Sequence, residues 1–188
     1  RYLKNSGKDK TPALVASGQG KFFNGTNQYI NTGATPNDSE GTFISRFTYA
    51  SGAIQKIMAG MNYSNNRCYM GINASGKIGV GFGANTYDTL FSPDTLVAGR
   101  SYHVVFRYSG STYWLFVDSV LKATGTITGL TTFAGTSFFI GALNNGGTAS
   151  NHFNNVIDET YYYDVALTDS QIEMLYKYPE KVKDYNGA

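Results

Sequence analysis

The sequence predicts an all-β, antiparallel sandwich or barrel with one short C-terminal helix. Three observations predict it. Short segments rich in aromatic and β-branched residues alternate with turn residues along most of the chain. Glycine occurs 22 times and tyrosine 15 times while charged residues reach only 15%, which favours turns and half-buried pleated surface over solvated helix. Only the stretch 168–178 carries helical spacing behind a start signal.

The elements follow in order. Residues 1–20 are polar, with a Lys8-Asp9-Lys10 run and a Thr11-Pro12 break, and read as a lead-in with an edge strand at 13–16. Segments 21–23 and 28–32 flank an Asn24-Gly25 turn. Phe43, Ser45, Phe47 and Tyr49 alternate with Ile44, Arg46 and Thr48, a period-2 strand. Strands at 57–63, 68–72 and 77–82 come next, the last two joined by the hairpin loop Asn73-Ala74-Ser75-Gly76. Tyr102, Val104, Phe106 and Tyr108 form one face of a long strand. Ser109-Gly110 turns it into 113–117, and Asp118-Ser119 turns that into 121–126. Phe138, Phe139 and Ile140 lack polar alternation, so that strand is expected to be buried on both faces. A last aromatic strand carries Tyr161, Tyr162 and Tyr163. Period-2 geometry puts at least one of the three in the core and excludes a platform made of all of them.

Thr168 can cap the helix, with Gln171 three residues on completing a capping box. Ile172, Leu175 and Tyr176 share one helical face. Pro179 ends the helix, because proline cannot extend the hydrogen-bond ladder. So short a helix cannot persist alone in water and must dock on the sandwich. The expected organisation is a lead-in over 1–20, a sandwich over 21–178 and a tail or linker over 179–188.

Composition sets further bounds. A chain of 188 residues with 41% apolar residues can bury one full core. A net charge of +2, scattered along the chain, does not argue for nucleic acid. No apolar run approaches the roughly 20 residues of a membrane span. Cys68 is the lone cysteine, so an internal disulfide is impossible. The chain starts at Arg1 and is expected to be a piece of a longer polypeptide or a processed product. Four Asn-x-Ser/Thr sequons, at Asn24, Asn37, Asn62 and Asn73, are what chance supplies in so Asn-rich a chain.

Several blocks in sequence order carry a family resemblance. Phe23-Asn24-Gly25 followed by Gln28-Tyr29-Ile30 opens the set. Tyr102-His103-Val104-Val105-Phe106 and Trp114-Leu115-Phe116-Val117-Asp118 form a central hairpin. Phe139-Ile140-Gly141 and the block from Ile157 through Asp158-Glu159 and Ala166-Leu167-Thr168-Asp169 to Leu175 close it. Together they resemble concanavalin A-like, laminin G-like jelly rolls with a pentraxin-related arrangement, of the kind found in phage fibres and bacterial surface proteins. The resemblance narrows the expected fold to a two-sheet jelly-roll sandwich. Ser119 stands where the family usually has a turn glycine.

The resemblance also poses a question about calcium. The two pentraxin calcium loops match Asn65-Asn66 and Leu143-Asn144-Asn145, which keep amides and lose the carboxylates. Calcium wants six to eight oxygens with charge from Asp or Glu, so this donor set disfavours it and no cofactor is expected. Asp88, in a neighbouring loop, is the one carboxylate that could add to it.

Catalysis has little to stand on. The paired-carboxylate strand motif of laminarinase-like hydrolases is absent. Asp158 and Glu159 are adjacent, and strict alternation sends them to opposite faces, where they cannot cooperate. His103 sits mid-strand and reads as a packing residue; no zinc spacing or serine-nucleophile motif occurs.

The expected ligand contacts are Asn65, Asn66, Arg67, Tyr87, Asn144, Asn145 and His152, in inter-strand loops, several of which the resemblance places on one rim. Amides and guanidinium groups exchange hydrogen bonds with sugar hydroxyls, and tyrosine stacks on apolar sugar faces. The expected function is a non-catalytic recognition or adhesion module for a cell-surface glycan or host-surface polysaccharide. Its expected setting is extracellular, on a virion or bacterial surface, as part of a larger protein. The alternative is a structural or decoration module packing on other virion subunits; a polysaccharide-degrading enzyme ranks third. Neither nucleic acid nor membrane insertion is expected.

Overall fold

A computed structural model describes residues 13–14, 20–36, 39–52, 54–61, 67–83, 89–126 and 137–179. They form two stacked sheets and one helix. The first sheet orders its strands β1 (Ala13–Leu14), β2 (Lys21–Asn24), β15 (Asn154–Tyr163), β4 (Glu40–Thr48), β9 (Ser101–Ser109), β10 (Thr112–Val117) and β11 (Val120–Thr126). The second runs β14 (Thr148–Ser150), β13 (Leu143–Asn145), β5 (Gln55–Met61), β6 (Arg67–Ile72), β7 (Lys77–Gly83) and β8 (Thr89–Thr95). Beside β5, β12 (Phe139–Ile140) pairs with both β5 and β3 (Ile30–Asn31). Among the described residues all pairing is antiparallel except β13 with β5. This is the predicted jelly-roll sandwich.

The inner faces of both sheets bury one aromatic core. Phe43 is its hub, stacked on Tyr162 at 4.6 Å and on Phe106 at 5.9 Å, and tilted against Phe138 at 5.0 Å. Such offset and tilted contacts suit the ring quadrupoles. Phe138, Phe139 and Ile140 are all buried, as their unbroken apolar run requires. Tyr162 enters this core, while Tyr161 and Tyr163 face the helix side.

Three elements depart from expectation. β8 was not foreseen, because Pro93 and Asp94 interrupt its apolar pattern; it lies at a sheet edge, where a missing N–H costs no ladder bond. The stretch carrying Asn144, Asn145 and His152, expected as loop, contains the β13–β14 hairpin. The strand expected at 28–32 contracts to Ile30–Asn31. In the lead-in, β1 pairs with β2 at the sheet edge.

The helix α1 (Asp169–Lys177) lies on the outer face of the first sheet. Ile172 and Leu175 are fully buried there against Ile44, Val105, Phe116 and Tyr163, a contribution of about 1.5–3 kcal/mol for each side chain. Arg107 clamps the entry to the helix. It donates to the Leu167 carbonyl at 2.8 Å and to Asp169 Oδ1 at 2.6 Å, with its guanidinium over the Trp114 ring. The capping box is formed: Thr168 Oγ1 accepts from Gln171 N, and Thr168 N donates to Gln171 Oε1 at 2.7 Å. Thr168→Ala is therefore expected to lower the unfolding free energy by about 1 kcal/mol, read from urea titration. An unchanged midpoint would mean that docking alone holds the helix start.

Candidate functional site

Register aligns, at one end of the second sheet, the strand ends that flank two of the predicted loops. Asn145 on β13 pairs with Met61 on β5, Met61 with Arg67 on β6, and Arg67 with Gly83 on β7. These four positions form one row across four strands. The segment 62–66 leaves the row at Met61 and returns at Arg67, and the segment 84–88 leaves it at Gly83. Asn65, Asn66 and Tyr87 lie in those segments, outside the described residues. The row places only their chain neighbours: Met61 next to Asn145, Arg67 next to Met61, and Gly83 next to Arg67.

Asn144 has a different task. It is only 5% exposed and its amide is used internally. Its Nδ2 donates to the Ser137 carbonyl at 2.7 Å, and its Oδ1 accepts from Gly147 N at 2.8 Å. Asn144 thus locks the turn in which Gly146 and Gly147 adopt positive φ, and leaves Asn145 exposed beside it. A side chain with both amide ends engaged and no surface does not reach a ligand. The sequence could not reveal this, because Ser137 is its partner only through the fold.

His152 stands apart from the row. Its Nδ1 lies 3.3 Å from the Gln28 carbonyl oxygen, and its ring is 6.3 Å from that of Tyr29. The carbonyl of its neighbour Asn151 accepts from Lys56 N, near the start of β5. Five residues of strand separate Lys56 from Met61, roughly 15 Å. His152 therefore sits towards the opposite end of the second sheet from Asn145.

The described donors do not fit calcium. Asn144 Oδ1 is already an acceptor for Gly147, and Asn145 supplies a neutral oxygen. Among the described residues no group of three or more His, Cys, Asp or Glu could hold a metal ion.

The other reactive side chains have structural surroundings. Burial pushes the Cys68 thiol well above its usual range, which suppresses the thiolate. His103 is 3% exposed, and neither of its ring nitrogens has a hydrogen-bond partner. Burial first, and the Arg46 charge second, push its pKa down to about 3, so it stays neutral beneath the helix.

Asp158 and Glu159 require a correction. A β-bulge between Ile157 and Glu159 inserts Asp158 as an extra residue. Ile157 faces the core, and so does Thr160, whose hydroxyl lies 3.2 Å from that of buried Ser45. Both acids between them therefore fall on the other side, and the alternation that separated them does not hold. Burial raises the Asp158 carboxyl, and the Arg46 charge partly opposes this. The cleft bordered by both residues has a volume of about 120 Å³. Small-molecule sites start near roughly 300 Å³, so this cleft is too small to seat a sugar chain.

The family model for the concanavalin A-like lectin/glucanase superfamily, Laminin_G_3, matches residues 23–173, most of the chain. The chain belongs to this superfamily. No curated protein matches it. Among solved structures, the superfamily fold is shared with a native heptameric SAP-like pentraxin from Limulus polyphemus. That pair has 17% identity and a TM-score of 0.65, over 82% of this chain and 80% of that one. The Ruminococcus gnavus IT-sialidase CBM40 bound to α2,3-sialyllactose is 19% identical with a TM-score of 0.66, over 89% of this chain and 97% of that one. The K499G mutant of the Streptococcus pneumoniae NanB sialidase is 18% identical with a TM-score of 0.69, and the match covers 83% of this chain but 27% of that one. At these identities the likeness establishes the jelly-roll fold alone. Among the described residues no helix is long and apolar enough to cross a membrane.

Proposed function

We propose that this chain is a non-catalytic recognition or adhesion module of a larger surface protein. It binds a cell-surface glycan through the rim at the Asn145–Gly83 row. The observation that supports this reading is the register of that row, which lines up exposed Asn145 with Met61, Arg67 and Gly83, the strand ends from which the segments carrying Asn65, Asn66 and Tyr87 leave. Amides and a guanidinium group present both donors and acceptors to sugar hydroxyls without a catalytic acid pair. Similarity to a carbohydrate-binding domain seen with sialyllactose supports the ligand class. The Gly-, Tyr- and Asn-rich, low-charge composition supports an extracellular setting, on a virion that meets host polysaccharide or on a bacterial surface. The small cleft beside Asp158 and Glu159 supports the absence of glycosidase activity.

A glycan array tests the rim. The triple variant Asn65→Ala, Asn66→Ala, Asn145→Ala is expected to lose at least about tenfold in affinity while keeping its melting temperature, since truncating polar loop contacts leaves the core intact. Binding that survives the triple variant removes this site. Release of oligosaccharides by the native chain, abolished in Glu159→Gln, would replace the module with an enzyme.

A further inference from the structure

The two outer faces of the sandwich are treated differently. The helix covers part of the first sheet, whereas the outer face of the second is paved. Lys56, Gly71, Gly79 and Phe91 form one row across β5, β6, β7 and β8. Ala59, Tyr69, Gly81 and Thr89 form the next row, nearer the rim.

Each glycine lies under a large side chain. A methyl group on Gly79 would meet the Phe91 ring at 2.6 Å, one on Gly71 would meet Lys56 Cδ at 2.8 Å, and one on Gly81 would overlap the Tyr69 ring. Phe91 and Tyr69 therefore lie along the sheet instead of standing away from it. Tyr69 is fixed by a 2.6 Å hydroxyl contact with Thr89, and the Lys56 ammonium sits 3.5 Å from the centre of its ring. Phe91 remains 44% exposed.

Lys56 leans inward by one strand from one end of its row, and Phe91 does the same from the other. Cation and open ring thereby lean over Gly71 and Gly79, which are paired neighbours on β6 and β7, and one strand spacing is about 5 Å. Charge favours an anion here. The four strands carry Lys56, Arg67 and Lys77 against one carboxylate, Asp94, which is held by Lys122 at 2.7 Å.

We propose that this face binds an acidic sugar: the apolar face of the pyranose lies on Phe91, and its carboxylate meets the Lys56 ammonium. The platform rests on the glycan-binding reading and adjoins the rim, with Tyr69 two residues from Arg67 on β6.

Calorimetric titration of the full chain tests it with trigalacturonate and sialyllactose as two sources of a sugar carboxylate and with lactose as the neutral probe. At least one acidic probe is expected to bind about tenfold or more tighter than lactose, and to weaken more than lactose between about 0.05 and about 0.5 M NaCl. Lys56→Met is expected to abolish that preference. Phe91→Ala is expected to weaken every bound probe about tenfold. Both changes are at the surface, so an unchanged melting temperature reports an intact fold. Equal binding of acidic and neutral probes, or affinities within about twofold of wild type in both variants, overturns the platform. If the same experiment shows loss only in the Asn65/Asn66/Asn145 variant, the rim stands without the platform. Loss only in the Lys56 and Phe91 variants leaves the platform without the rim. No binding of any probe overturns both.

Discussion

Replacing Gly141 with alanine is expected to destabilise the fold by about 2–5 kcal/mol, a large share of the 5–15 kcal/mol that holds a domain together. Two costs add at this residue. Its φ of +80° lies in the left-handed region that a Cβ disfavours. The added methyl would also overlap the ring of Phe23, which is 1% exposed and locked edge-on against Phe153. Gly141 N donates to the Ile57 carbonyl and its own carbonyl accepts from Phe153 N, so the backbone cannot swing away without losing two bonds between strands. Gly147→Ala is the control, because its φ is +94° but open space surrounds it. Urea unfolding is expected to show about 1 kcal/mol for Gly147→Ala and several times that for Gly141→Ala. Equal losses would mean that the Phe23 ring yields freely.

Acid is expected to weaken the protein through His103. Its folded pKa of about 3 lies below the ordinary 6.5, so the unfolded chain takes up the proton first. The contribution is present in full above pH 6.5 and is lost as the pH falls towards 3, at about 1.4 kcal/mol per pH unit. Across the window this amounts to about 5 kcal/mol as an upper figure. His103→Leu removes the titrating group and two unpartnered nitrogens at similar volume. It is expected to be neutral or stabilising at pH 7 and to flatten the dependence of unfolding free energy on pH between about 6 and 4. Asp158, with its raised pKa, favours the folded state as pH falls, and Asp94, lowered by Lys122, does the reverse. Subtracting one protein's curve from the other cancels both. An identical slope in the variant would show that His103 is protonated as readily in the native state as in the unfolded chain.

Local signals made most of the architecture readable. Thr168 and Gln171 mark a helix start because the cap bonds span three residues. Phe43 and Phe47 mark an inner face because alternation is a property of one strand. Features that depend on a distant partner were not readable. Asn144 looks like any loop amide until Ser137 is placed beside it. The bulge at Asp158 leaves no composition signal, yet it reverses the parity of every residue after it in β15. The paved face did leave a trace. Gly79, Gly81 and Gly83 recur every second residue within one strand, which implies that something large lies over one side. What lies there, Phe91 and Tyr69, depends on which strands become neighbours.

The position of β15 between β2 and β4 governs the order in which the molecule can assemble. While the chain is being synthesised, β4 can pair with β9 but keeps one naked edge until Asn154–Tyr163 has left the ribosome. The first sheet must wait for that strand, so its closure is slow, as expected when distant segments pair. Any nascent chain truncated before residue 154 offers a hydrophobic ribbon ready for the wrong partner.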